Sequence, residues 1–274
     1  MLDAFAYPVS ALMELWHDLL SLLLGPNSGA AWVGSLLLLV LTIRLLLVRS
    51  TWAQLRSARR MAALRPQLAA LKAQHGADQV RYLAEVRRLQ KQEGVGAAGC
   101  LPLLVQLPVF VGLYHLLARF ADPGTAGSNG VFGPDQVRSF AAAQLLDVPL
   151  AAALRSPAAV LESLQPGLSA GSVLLVVLPL LLVAAAATFV NALAAARRQR
   201  LTAPPADDEP LATTMRSVTE ALVWVAPAGV LAGGLLFPVP LALILYWAVN
   251  GTWTTAQTLL MNRRLDRIEA APAR

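Results

Sequence analysis

Apolar residues in this chain fall in long, nearly unbroken runs separated by shorter polar segments. A helix that crosses a bilayer needs about 20 mostly apolar residues. Five stretches meet that length: roughly 31–49, 100–120, 172–196, 216–236 and 239–260. Only Phe237-Pro238 separates the last two, which predicts a tight helical turn between them. Residues 5–24 follow another rule. Ser10, Glu14, His17, Asp18 and Ser21 recur at helical spacing, and Leu12, Leu15, Trp16, Leu19, Leu22 and Leu23 fill the rest. This predicts an amphipathic helix lying at the outer membrane interface, stopped by Gly25-Pro26-Asn27.

The segment 52–99 is polar yet periodic. Leu64, Leu68 and Leu71 share one face of a helix over 52–74, with Arg56, Arg59 and Arg60 elsewhere on it. His75-Gly76-Ala77-Asp78 breaks that helix, and Asp78 is placed to cap a second one over about 78–93. There Glu85 can pair with Arg81 and Arg88. The expected product is a basic helical hairpin. Residues 121–170 begin rich in Gly, Ser and Pro and predict a short helix near 135–146. Residues 203–210, APPADDEP, predict a polar loop.

Composition agrees with a membrane protein: of 274 residues, 57% are hydrophobic and 14% charged, against about 25% charged in soluble domains. Charge distribution then sets orientation, because basic residues accumulate in cytoplasmic loops. Loop 49–99 carries ten Lys or Arg, loop 197–216 four and the tail four; the opposite side holds only Arg119, Arg138 and Arg155. The N-terminus is therefore expected outside and the tail in the cytoplasm, with five crossings. The single cysteine, Cys100, excludes an intrachain disulfide, and neither CxxC nor HExxH occurs.

One charge lies inside an apolar run. Arg44 sits in GSLLLLVLTIRLLLVRS, five residues from Arg49 and so roughly 7–8 Å deeper at helical rise. Such a residue is a snorkelling anchor or the mark of a functional cavity. Other runs carry polar positions that could share a cavity with it. Tyr246, Asn250, Trp253 and Gln257 form one stripe on the last run, Thr188 and Asn191 lie on one face of the third, Gln106 is in the second and Glu220 is near the end of the fourth. Thr42 is close to Arg44 in sequence but turned away around the helix. An Arg44–Glu220 ion pair is one arrangement these depths allow. Polar side chains can also simply join helices. Gly167-Leu168-Ser169-Ala170-Gly171 matches GxSxG, but that elbow belongs to a strand–turn–helix that the pattern does not predict. Ser169 then reads as a helix cap, with an intramembrane serine protease as the least favoured alternative.

Several segments together resemble the YidC/Oxa family of membrane protein insertases. They are TIRLLL, then RRMAALRPQLAALKAQHGAD, GCLPLLVQLPVFVGLYHLL, FGPDQVRSFAAAQLLDVPLA and FPVPLALILYWAVNGTWTTAQTLLMNRR, spread over about 30–264. The resemblance is to actinobacterial-type members, with a short second paralogue as one form. It implies an all-α polytopic membrane protein of the bacterial cytoplasmic membrane: an interfacial helix in 1–30, a five-span core with a cytoplasmic helical hairpin in 31–264, and a short tail in 265–274. It implies an insertase and chaperone for small membrane proteins, acting alone or with the Sec translocon, without enzymatic activity, cofactor or metal. Arg44 would face a hydrophilic groove open to the cytoplasm and lipid. The groove residues expected with it are Thr42, Gln106, Thr188, Asn191, Glu220, Tyr246, Asn250, Trp253 and Gln257. Arg56, Arg59, Arg60, Arg87 and Arg88 would form a cytoplasmic docking surface for nascent chains, a targeting factor or the ribosome; the bland alternative is a solvated element beside anionic lipid. No specific nucleic-acid binding is expected. The chain departs from the family's usual Asn-Pro-Leu-Gly-Gly-Cys with Val95-Gly96-Ala97-Ala98-Gly99-Cys100, has Val40 where a polar residue is common, and ends in a short tail. A small-solute transporter, with spans broken at Pro102, Pro108 or Pro179, is the alternative from another class.

Overall fold

The computed structural model describes residues 3–75, 78–94, 101–120, 127–202 and 210–270. Among these the chain forms α1 (Asp3–Leu24), α2 (Gly29–Leu46), α3 (Val48–Ala63), α4 (Arg65–His75), α5 (Gln79–Gln92), α6 (Leu101–Phe120) and α7 (Pro134–Ala142). There follow strands β1 (Gln144–Leu145) and β2 (Val148–Pro149), then α8 (Ala158–Leu164), α9 (Ala170–Thr202), α10 (Pro210–Leu236) and α11 (Leu241–Ala270). Among the described residues each apolar run is helical over most of its length, but the first divides at Leu47, where α2 ends and α3 begins. By length and composition, Gly29–Leu46, Ala170–Arg200 and Thr214–Leu236 are able to cross a membrane, and Pro108–Phe120 is a shorter apolar helix. The helices α6, α9 and α10 continue through Pro108, Pro179 and Pro227. The prolines therefore do not break these spans. The segment 95–100, with Cys100, and Gly76-Ala77 lie outside the described residues.

The chain divides into two units. The first takes Met1–Leu46, Leu103–Thr188 and Pro227–Trp253. Its core joins Leu36, Leu39 and Val40 of α2 with Leu113, Leu116 and Leu117 of α6, Val173, Val177 and Leu181 of α9, and the run Leu241–Tyr246 of α11. Such burial of aliphatic side chains is close-packed rather than fluid. Trp32 anchors one end. Its ring meets Phe132 and Phe140 edge-on, with centroids 5.5 and 5.3 Å away, a favoured aromatic geometry. Its Nε1 donates to Ser139 Oγ at 3.0 Å, whose hydroxyl donates to the Pro26 carbonyl.

The amphipathic helix is present as α1, and Gly25 ends it with φ 87°, the left-handed cap that glycine favours. Its polar line faces protein. Ser10 and His17 are buried, while Tyr7, Leu15, Leu19, Leu22 and Leu23 are exposed. Ser10 Oγ accepts the Val131 N–H, and Gln136 Nε2 donates to Glu14 Oε1. His17 stacks on Trp32 with centroids 3.7 Å apart. Ser10, Glu14 and His17 thus find partners in the 127–142 segment and α2, while Asp18 is exposed and Leu15, Leu19, Leu22 and Leu23 are left on the outer face.

The short helix expected near 135–146 is α7, and it stops at Ala142 because a β-hairpin follows. Leu146 and Asp147 turn that hairpin with φ 52° and 61°, the two left-handed residues that a tight two-residue turn demands. The periodic pattern gives no sign of this turn, since leucine is a poor residue for it.

The second unit takes Leu47–Pro102, Phe189–Ala226 and Thr254–Arg274. The helix expected over 52–74 is two helices here, α3 and α4, interrupted at Leu64. Pro66 explains the interruption. It lacks an N–H, so it cannot continue the ladder, yet it suits the first turn of a new helix. Leu55, Leu64 and Leu68 remain buried. Asp78 caps α5 as expected, its Oδ1 accepting the Arg81 N–H at 3.0 Å. α4 and α5 pack against each other. Glu85 reaches Arg88 at 3.8 Å.

Candidate functional site

The geometry around Arg44 is specific. Its Nε and Nη2 both donate to Asn250 Oδ1, at 2.8 and 2.6 Å. α2 supplies the cation from its last turn, and α11 supplies the acceptor 206 residues later. The guanidinium is half-buried. The acceptor is a neutral amide, so it fixes the orientation of the charge without cancelling it.

Tyr246 lies one turn before Asn250 on the same face of α11 and is buried. Its ring is 6.4 Å from Phe110 of α6. Trp253 follows Asn250 by three residues. Gly251 brings α11 against α9: a Cβ there would stand 3.1 Å from that of Ala187. Beside Ala187, Thr188 is half-buried and donates to the Ala184 carbonyl. Arg44, Asn250, Tyr246, Trp253 and Thr188 therefore belong to one unit.

The other expected groove residues are placed differently. Thr42 donates to the Leu38 carbonyl and accepts Trp16 Nε1–H at 3.1 Å. It fastens α1 to α2. Gln106 is on α6, and its side chain is outside the described residues. Asn191, Glu220 and Gln257 fall in the second unit. Glu220 accepts from Arg200 at 3.0 Å and Arg216 at 3.3 Å. The sequence allowed a pair of Glu220 with Arg44; Glu220 is bound here by these two arginines of its own unit. Arg216 and Glu220 are four residues apart, so their pairing was readable from helical spacing.

Among the basic docking candidates, Arg56, Arg60, Arg87 and Arg88 are exposed. Arg59 instead binds Asp266 Oδ1 at 2.6 Å and the Asn262 carbonyl at 3.1 Å, joining α3 to α11. Arg264 lies over the Trp52 ring at 5.9 Å. The sequence reading did not single out Asp266, Asn262, Trp52 or Arg264, since ordinary charges near helix ends carry no local signal.

Ser169 is the N-cap of α9. Its Oγ accepts the Ser172 N–H at 3.2 Å and meets the Ser172 hydroxyl at 3.0 Å. Among the described residues the only sheet is the two-residue hairpin, so the GxSxG match lacks its strand–turn–helix setting. No group of three or more His, Cys, Asp or Glu able to hold a metal ion occurs among the described residues.

Comparison with known proteins decides the family. The family model described as 60Kd inner membrane protein matches residues 23–268. The chain belongs to this family. It is the YidC/Oxa family that the sequence motifs resemble. A relative from Corynebacterium efficiens, named membrane protein insertase YidC, is 35% identical over 97% of this chain and 69% of its own length. The relative of that name from Mycolicibacterium paratuberculosis is 36% identical over 93% of this chain and 74% of its own. The one from Mycobacterium tuberculosis is 34% identical over 98% and 75%. YidC-type relatives thus match almost every part of the chain described above.

Proposed function

We propose that this protein is a membrane protein insertase whose working site is the Arg44–Asn250 pair. The observation that carries the reading is a half-buried guanidinium, inside an apolar helix, held by a neutral amide. In a low dielectric a charge so held attracts an acidic or strongly polar segment more strongly than it would in water. A substrate's polar outer segment enters beside Arg44 and so shortens its path through hydrocarbon. Trp253 and Thr188, both half-buried, offer further aromatic or polar surface, and the substrate's apolar helix leaves into lipid. The reaction breaks no covalent bond and needs no catalytic residue, nucleotide or metal.

The proposed topology has five crossings in the bacterial inner membrane: α2, α6, α9, α10 and α11. The excess of basic residues places α3, α4 and α5 in the cytoplasm, with the N-terminus outside. α4 and α5 form the cytoplasmic hairpin, and its exposed Arg87 and Arg88 receive nascent membrane proteins. The Sec translocon and the ribosome are partners that this topology permits. α1 lies at the outer interface, leucines toward lipid. A transporter is disfavoured because α6 and α9 run unbroken through Pro108 and Pro179.

The test is insertion of a short single-span substrate into liposomes containing the purified chain, together with rescue of a bacterium depleted of its insertase. Insertion well above protein-free liposomes, and rescue, are expected. Failure of both overturns the function. Full activity of Arg44→Ala would leave the function standing and remove Arg44 from its centre.

A further inference from the structure

The second unit contains a cavity of about 700 Å³ that the insertase reading does not use. It is formed by α3 and the ends of α9 and α11. Its apolar lining is small: Leu55, Ala58, Ala62, Ala63, Leu265 and Ile268. Four arginines, Arg56, Arg59, Arg60 and Arg198, also line it, with the single carboxylate of Asp266. Arg59 binds that carboxylate at 2.6 Å and so neutralises it. Arg56 and Arg60, both exposed, and Arg198 line the rest of the basic surface.

We propose that this cavity is a binding site for the phosphodiester headgroup of one anionic phospholipid. Charge and wall chemistry both fit. A phosphate accepts bidentate hydrogen bonds from guanidinium groups, and the alanine-lined wall leaves room for glycerol and the first part of an acyl chain. Depth fits as well. Arg198 lies two residues beyond the apolar stretch ending at 196, and Leu265 five beyond the one ending at 260. At helical rise these are roughly 3 and 8 Å past the hydrocarbon, within a headgroup layer about 5–8 Å thick. An acidic peptide would meet the same charge, but it would leave the apolar lining uncovered. The assignment rests on the proposed placement of this unit at the inner membrane face.

The experiment measures lipid retained by the full chain in a neutral detergent, by native mass spectrometry, with phosphatidylglycerol or phosphatidylcholine added. No insertion substrate is present, so failure of the insertase reading would appear separately, in the liposome assay. The wild type is expected to retain one phosphatidylglycerol in preference to phosphatidylcholine. Each arginine near an anionic lipid surface is worth roughly a fivefold gain in binding. Arg56→Gln/Arg60→Gln/Arg198→Gln should therefore weaken retention about a hundredfold. The matched control Arg81→Gln/Arg263→Gln/Arg267→Gln, outside the cavity, should retain the lipid. If the triple glutamine variant does not fold, Arg60→Glu alone, at an exposed position, should still lower retention. Equal loss in cavity and control variants overturns the site. So does undiminished retention in Arg60→Glu or the triple variant. Displacement of the lipid by millimolar inorganic phosphate, or by an acidic peptide at lower concentration than the lipid, overturns the lipid assignment in favour of those ligands.

Discussion

At the scale of single residues, Asn250 separates two properties that are usually joined. Asn250→Ala leaves the Arg44 guanidinium half-buried with its acceptor gone, at a cost of about 1–3 kcal/mol. Both thermal stability in detergent and insertion should fall. Asn250→Asp keeps an acceptor in place and adds a countercharge. Stability should be held while insertion of substrates with acidic outer segments drops, which a melting curve and the liposome assay measure side by side. Equal insertion by the aspartate variant would show that the net charge of Arg44 is not what the substrate meets.

His17 offers a second residue-scale expectation. Burial against Trp32 lowers its proton affinity below the ordinary 6.5, and a hydrogen bond to the Pro26 backbone, with the carboxylates of Asp18 and Glu14, opposes that only in part. The unfolded chain therefore binds the proton more readily. The stabilising contribution is complete above about pH 6.5 and is lost as pH falls from there through the lower folded value. Unfolding midpoints measured across that range should decline on acidification, and His17→Phe should flatten the decline.

At the scale of elements, much was legible because it is local. α5 begins where Asp78 announces a cap, and α9 begins at Ser169, whose hydroxyl takes the N–H three residues on. Helical periodicity located α1 but not the direction of its polar face. That direction depends on Val131 and Gln136, more than a hundred residues away. The break at Leu64 was readable in Pro66, yet the leucine pattern running through it favoured one helix. Close backbone approach left no local trace either. A Cβ on Gly29 would collide with the backbone of Gln144, where α2 begins beside β1. Gly29→Ala must push the hairpin away, and about 1–3 kcal/mol of stability should go with it. An unchanged melting temperature would mean that the hairpin yields freely.

For the whole molecule, the apolar runs carried the class, and the resemblance of segments such as TIRLLL and GCLPLLVQLPVFVGLYHLL carried the family. They could not carry the pairing of Arg44 with Asn250. Both residues were expected in one groove, but the hydrogen bond joins positions 206 apart, and nothing in a pattern of spacing selects one partner from a polar stripe. The same holds for Arg59 and Asp266. Their contact separates Arg59 from the exposed docking arginines with which the sequence grouped it. Arg87→Gln/Arg88→Gln should accordingly reduce capture of substrate and leave the melting temperature unchanged, whereas Arg59→Gln should lower it, because it frees Asp266 from α3. Thermal melts of the two variants, run beside the liposome assay, distinguish the roles.

The amide of Asn250 has a consequence for energetics. It carries no charge and no exchangeable state, and the guanidinium beside it stays ionised at any pH a cell meets. A pair of this kind stores nothing and is reset by nothing. In the role proposed for it, such a pair makes the crossing faster in both directions alike and leaves the end point untouched. Where a substrate finally rests is then decided by the substrate's own partition between water and bilayer, and a segment too polar to stay would slip back along the route by which it came.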